Sequence, residues 1–235
     1  MRLDKYLAHA GHGSRNQVKK IIKKGIVTVD GALCIDPGFS IYDEVVRIDG
    51  QIVQYEATVY LIMNKPTGVI SASSDFRSKT VFDLFDSSSM KHLQIVGRLD
   101  KDSTGLLLLT NDGDLTHQII SPKSNIAKHY IVRTNRSLSI EEISLLEQGI
   151  MMDNKPTLPA RIRPLEPSVY EFILHEGRFH QVKRMVEYVK ATVISLHRTQ
   201  IGPLFLDERL QPGQVRPLTI DEIMALKNAT QGSVE

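Results

Sequence analysis

Apolar residues at Leu3, Tyr6, Leu7 and Ala10 recur at helical spacing, which predicts a short helix over residues 3–10. Gly11 and Gly13 break it. Ser14 then stands as an N-cap, and Val18, Ile21 and Ile22 fall on one face of a second helix that Gly25 ends. The run Ile26-Val27-Thr28-Val29 predicts a strand, Asp30-Gly31 a hairpin turn, and Ala32–Ile35 and Val45–Ile48 two further strands. Gln51–Thr58 reads as a linker.

From Val59 the pattern changes. Strands are predicted at Val59–Met63, Leu106–Thr110, His129–Arg133, Tyr170–Leu174 and Val193–Leu196. Helices are predicted at Ser139–Gln148, where Ser139 and Glu142 form a capping box, and at Val182–Tyr188. Thr219 and Glu222 cap a last one. Asn64–Gly68 and Asn111–Asp114 read as turns. Strands and helices mix without a βαβ repeat, so the expected class is α+β. Leu106-Leu107-Leu108-Leu109 is apolar at both parities, as in a strand buried on both faces. The polar run before it, residues 97–105, therefore sits on a rigid support.

Composition narrows this picture. The 235 residues are 41% apolar and 24% charged, as in a soluble protein of one or two domains. No apolar run is long enough to span a bilayer, and the start Met1-Arg2-Leu3-Asp4-Lys5 lacks the apolar stretch of a signal peptide. Cys34 is the single cysteine, which excludes an intrachain disulfide and cysteine-rich zinc sites. These features fit a reducing cytoplasm. A net charge of +2 says little, but seven Lys or Arg stand against one acid, Asp4, before Gly25. Arg15, Lys19, Lys20, Lys23 and Lys24 cover much of the second helix's polar surface, a footprint for phosphate or simply a solvated face.

Walker A, Gly-x-Gly-x-x-Gly, His-Glu-x-x-His and Gly-x-Ser-x-Gly runs are all absent. What remains is Gly97-Arg98-Leu99-Asp100-Lys101-Asp102-Ser103-Thr104-Gly105. By spacing alone Asp100 is a turn or capping residue, and nothing local separates it from Asp102. Lys183 alone reads as a solvated helix lysine, and Tyr130 as a core tyrosine.

Two short helices followed by a small sheet, with basic residues gathered on the second helix, resemble the S4-like RNA-binding domain. Gly97–Asp100 followed by Ser103–Gly113 resembles the signature of the RluA/RsuA superfamily of pseudouridine synthases. Asn64–Gly68 and Glu176–Met185 are similar to that family's first and third motifs. Leu196–Arg198, Ile201-Gly202, Pro212-Gly213 and Arg216–Thr219 carry the likeness nearly to the end. The form His180-Gln181-Val182-Lys183-Arg184 is most similar to the small-subunit branch, large-subunit relatives more often reading Arg-Gln-Ile-Arg-Arg.

The resemblance implies a small S4-like α/β RNA-binding domain with its linker over residues 1–58. A mixed, mainly antiparallel β-sheet catalytic domain flanked by helices would follow over 59–235. It implies isomerisation of a uridine to pseudouridine in ribosomal RNA, at uridine 516 of the small-subunit 16S RNA. A 23S RNA synthase is the alternative within the family, and a non-catalytic rRNA-binding assembly protein the alternative outside it. No cofactor, metal or membrane is implied. The partner would be the small subunit or its assembly intermediate, and the chain a monomer. Asp100 would be the nucleophile, Lys183 the basic group that pairs with it, and Tyr130 the ring that stacks on the extruded base. Arg98 would fill the space the base leaves, Leu196 would pack against the base, and Arg178 and His180 would support the site or contact RNA.

Overall fold

The computed structural model describes residues 1–53, 58–85, 90, 93–121 and 124–231. The chain divides into two compact units, Met1–Thr58 and Val59–Glu235.

In the first unit, Leu3 and Leu7 of α1 (Leu3–His9) and Val18 and Ile22 of α2 (Arg15–Lys23) are fully buried. They share a core with Val27 and Val46 of an antiparallel sheet ordered β2-β1-β3-β4. Its strands are β1 (Val27–Val29), β2 (Ala32–Leu33), β3 (Val46–Ile48) and β4 (Gln51–Ile52). Ser14 caps α2 in a reciprocal box with Gln17. Two Asp-Gly turns, Asp30-Gly31 and Asp49-Gly50, have positive φ at both residues, the backbone that a two-residue hairpin needs. The second turn corrects the linker expectation: it folds Gln51 and Ile52 back onto β3 as β4. Residues 54–57 of the expected linker lie outside the described residues.

The second unit runs β5 (Tyr60–Lys65), a short 3-10 turn (Val81–Leu84), β6 (Gln94–Val96), β7 (Thr104–Thr110), α3 (Gly113–Ile120) and β8 (Lys128–Thr134). Next come α4 (Ile140–Gln148), a small hairpin β9 (Met151–Met152) and β10 (Lys155–Pro156), β11 (Arg161–Glu166) and β12 (Val169–Leu174). It ends with α5 (Gln181–Tyr188), β13 (Val193–Ile201), β14 (Leu204–Phe205), β15 (Val215–Pro217) and α6 (Ile220–Gln231). The main sheet is ordered β11-β12-β8-β13-β7-β5-β15, with β14 on β13 and β6 on β7. Its pairings are antiparallel except β7 with β13. The chain is thus α+β with a mixed, mainly antiparallel sheet and helices on both faces.

The leucine run explains the layering. Leu107 and Leu109 join a core with Leu146 of α4 and Met185 and Val186 of α5. Leu106 and Leu108 join a second core with Leu115 and Ile119 of α3 and Leu226 of α6. All four leucines are fully buried, so β7 is an interior strand of a three-layer unit, covered on both faces.

Strands β6, β9, β10, β11, β14 and β15 have no counterpart in the sequence reading, and two expected features of this unit differ in kind or length. Asn111–Asp114 is a helix start rather than a turn: the Asp112 carboxylate accepts the Leu115 N–H at 3.1 Å and caps α3. An Asx turn and an N-cap use the same residue type, and only the following apolar face tells them apart. Strand β13 also runs to Ile201, five residues past Leu196, because its later half pairs with β8 and β14.

Candidate active site

The polar run 97–103 links β6 to β7 and is fastened at nearly every residue. The Arg198 guanidinium donates from Nη2 to the Gly97 carbonyl at 2.7 Å. The Ser71 hydroxyl donates to the Leu99 carbonyl at 2.8 Å and accepts the Leu99 N–H at 3.1 Å. The Gly68 N–H donates to Lys101 O at 2.8 Å. Beneath the turn, the fully buried Lys65 ammonium donates to the carbonyls of Asp100 (2.9 Å), Ser103 (2.8 Å) and Pro66 (3.0 Å). Burial lowers the Lys65 pKa to about 8, against the opposing pull of Asp100 and Asp102.

At the end of this loop the close approach of two strands demands glycine. Gly105 has φ +104°, and a Cβ there would lie 2.2 Å from the Arg198 carbonyl oxygen. The parallel contact of β7 with β13 therefore depends on this residue, while the antiparallel pairing of β13 with β8 sets Arg198 beside Tyr130, its register partner. The Arg198 guanidinium carbon lies 5.9 Å from the Tyr130 ring centroid.

Asp100 opens into a cleft of about 570 Å³ whose walls include Arg98, Tyr130, Leu174, His180, Leu196 and Arg198. Its side chain is 26% exposed, and Oδ2 lies 2.9 Å from Lys183 Nζ. Lys183 sits in the first turn of α5 and does not line the cleft wall; it reaches Asp100 with its ammonium, and also Asp102 Oδ1 at 2.6 Å. Burial pulls Lys183 down, but the bonds to Asp102 and Asp100 outweigh it and hold the ammonium above the usual lysine value. The same bond from Lys183 lowers Asp102. Asp102 is 71% exposed and is not part of the cleft wall. His180 Nε2 lies 3.5 Å from Asp100 Oδ1. His180 is the N-cap of α5, with left-handed φ of 52°, and its ring stacks on Phe179 at 3.8 Å.

The remaining candidates fall in different settings. Tyr130 and Leu196 are buried and line the cleft, on the neighbouring strands β8 and β13. Arg98 is exposed on its wall. Arg178 also lines it, yet its guanidinium is spent on the protein, donating to Glu176 at 3.0 Å and to the carbonyls of Met152, Lys155 and Pro156. With Gln181 also bonded to Glu176, Arg178 stitches residues 176–181 to the β9–β10 hairpin. In the first unit, Arg15, Lys20, Lys23 and Lys24 are exposed along α2, while Lys19 is half-buried with its ammonium 4.0 Å from Asp4. Four residues at the site had no role in the sequence reading: Lys65, Ser71, Lys128 and Arg198. For Lys65 the signal available was its place as a lysine closing the apolar strand β5, which shows its burial but not its carbonyl partners.

A conserved-family model described as RNA pseudouridylate synthase matches residues 59–188, and one described as S4 domain matches residues 1–41. The chain belongs to the RNA pseudouridine synthases. Within them it is of the RsuA type. It is similar to proteins named ribosomal small subunit pseudouridine synthase A, at 38% identity in Vibrio parahaemolyticus (97% of this chain, 100% of that protein). The Vibrio cholerae protein of that name is 35% identical (96% and 99%). An RNA pseudouridine synthase of Bacillus subtilis, described as uncharacterized, is 41% identical (96% and 98%). A solved structure titled as a pseudouridylate synthase superposes with a TM-score of 0.71 at 34% identity (96% and 99%). The synthase is therefore an isomerase. Among the described residues, none of its helices is long and apolar enough to cross a membrane.

Proposed function

We propose that this synthase converts uridine to pseudouridine in ribosomal RNA, specifically uridine 516 of 16S RNA, with Asp100 as nucleophile. The observation that carries the reading is one carboxylate, on a loop fastened at both ends, paired with Lys183 and opening into a cleft with Tyr130 and Leu196 on its wall.

The reaction breaks the C1′–N1 bond and forms a C1′–C5 bond. The hydrogen on C5 is lost and N1 gains one, so the change is an isomerisation that needs no co-reactant. A carboxylate can act as nucleophile without a base beside it. Lys183 orients it and keeps its charge balanced in a half-buried position. The Tyr130 ring gives the extruded uracil a surface to stack on, Leu196 packs its apolar edge, and Arg98 on the cleft wall takes the place of the base in the RNA.

The first unit, residues 1–58, would dock ribosomal RNA through the exposed bases of α2. The unit over 59–235 would perform catalysis. The names of the small-subunit relatives, and the His-Gln-Val-Lys-Arg run shared with that branch, favour 16S RNA within the small subunit or its assembly intermediate. The synthase would act as a monomer in the cytoplasm.

Modification mapping of 16S and 23S RNA after incubation with the purified protein tests the assignment. A new pseudouridine at position 516 of 16S RNA is expected. Modification confined to 23S RNA would overturn the substrate, and none in either would return the chain to the rRNA-binding alternative.

A further inference from the structure

Two buried cations face the cleft, and no carboxylate among the described residues pairs with either. Lys128 and Tyr130 are the first and third residues of β8, so their side chains leave the strand on one face. Lys128 is 6% exposed and Arg198 is 1% exposed, and both line the cleft. Among the described residues the Lys128 ammonium has one hydrogen-bond partner, the Ile126 carbonyl at 2.9 Å. Two of its three N–H groups are left over. Arg198 uses Nε on Leu106 O (2.8 Å) and Nη2 on Gly97 O (2.7 Å), and Nη1 makes no hydrogen bond to the described residues. Neither forms an ion pair with a described acid. Burial, and then the charge of Arg198, lower the Lys128 pKa to about 8.

A buried ammonium with one hydrogen bond is costly, and a second cation nearby raises that cost. Its open side is the cleft. A uracil stacked on Tyr130 presents two carbonyl oxygens and one N–H at its polar edge. Lys and Arg are donors only, so they meet the oxygens. The phosphates stay on the RNA strand at the mouth of the cleft, whereas residues this buried meet the part of the nucleotide that goes deepest.

We propose that Lys128 and Arg198 form the floor of the base pocket and hold the extruded uracil by its carbonyl oxygens. This rests on the function proposed above and adds the group that bears the charge of the detached base. As an Asp100 oxygen bonds to C1′, the C1′–N1 bond breaks and its electron pair goes to the base, so uracil carries one negative charge shared by N1, O2 and O4. The floor stabilises that anion until C5 bonds to C1′ and displaces the Asp100 carboxylate, after which the C5 proton leaves and N1 takes one up. Donors fixed in a dry site where charge develops are an efficient form of transition-state stabilisation.

The test compares the full-length wild type with Lys128→Met and Lys128→Arg. The readouts are tritium release from RNA carrying uridine tritiated at C5, RNA affinity, and melting temperature. Single-turnover release in Lys128→Met should fall roughly 10- to 100-fold, the loss expected for hydrogen bonds to a charged donor. Affinity should be nearly unchanged and Tm no lower, because a buried charge has been removed. Lys128→Arg should recover part of the rate. Replacing the target uridine by 4-thiouridine or 2-thiouridine should slow the wild type more than Lys128→Met, since sulfur is the weaker acceptor. Four results would overturn the proposal: full activity in Lys128→Met; a lower Tm that accounts for lost activity in both variants; loss of affinity and of salt dependence with the rate on bound RNA intact, which marks a phosphate contact; or equal sensitivity of both proteins to thio-substitution. A wild type that releases no tritium would overturn the function itself and this proposal with it.

Discussion

Lys183 Nζ stands 2.9 Å from Asp100 Oδ2 and 2.6 Å from Asp102 Oδ1, so one ammonium bridges two aspartates of very different exposure. Asp100 is turned into the cleft and Asp102 into solvent. The shorter distance does not make Asp102 the more important partner, because a pair that exposed is weakened by water.

Lys183→Met should lower turnover about 100-fold, as expected when a charge that orients and balances a reacting carboxylate is lost. Asp102→Asn should cost less than about 5-fold. Steady-state tritium release for the two variants checks this. A larger loss in Asp102→Asn than in Lys183→Met would contradict the choice of Asp100 as nucleophile.

Gly105→Ala should destabilise the second unit by more than about 3 kcal/mol, or prevent its folding. The added Cβ would lie 2.2 Å from a backbone oxygen, at a φ of +104°. Denaturant unfolding, or the soluble yield where the variant does not fold, reads the effect. A wild-type midpoint would show that β7 and β13 can part without cost.

The buried lysines predict an alkaline gain in stability. Lys65 and Lys128 have pKa values of about 8 in the folded chain, against 10.5 for a free lysine. Below pH 8 both states are charged, and the fold carries the full cost of the buried ammoniums. Between pH 8 and 10.5 the unfolded chain binds the extra protons, so these two groups make stability rise with pH, each on the order of 2 kcal/mol. Urea unfolding at pH 7.5 and 10 should show a smaller rise in Lys128→Met than in the wild type. Identical pH dependence would mean that Lys128 is not held in a depressed state.

Neutralising Lys19, Lys20, Lys23 and Lys24 to glutamine should weaken RNA binding and flatten its dependence on salt. If each lysine neutralises one phosphate, the slope of log affinity against log salt should fall by about 2 to 3. The full value for four lysines is not expected, because Lys19 already lies near Asp4. An unchanged slope across a salt series would reduce α2 to a solvated face.

Much of the fold was legible in local pattern. The leucines of β7 announced a strand buried on both faces, and Ser14, Ser139 and Thr219 each cap the helix their spacing pointed to. Asp112 misled because the same residue type starts a turn and a helix. The short hairpin of β9 and β10 carried no apolar alternation to read. At the site, motif likeness supplied the names Asp100, Tyr130 and Lys183, but not the support beneath them. Lys65 and Arg198 act on carbonyl groups, which leave no trace in sequence because every residue has one. Lys128 looked like an ordinary lysine at the start of a strand, and only the fold shows it buried with no carboxylate partner among the described residues.

The most direct test of the central claim is tritium release from RNA containing uridine tritiated at C5, comparing the wild type with Asp100→Asn at matched folding and RNA affinity. Substitution by asparagine preserves shape and removes the nucleophilic charge. Release by the wild type and none above background by Asp100→Asn is the expected result. Equal release from both would contradict the assignment of Asp100 as nucleophile.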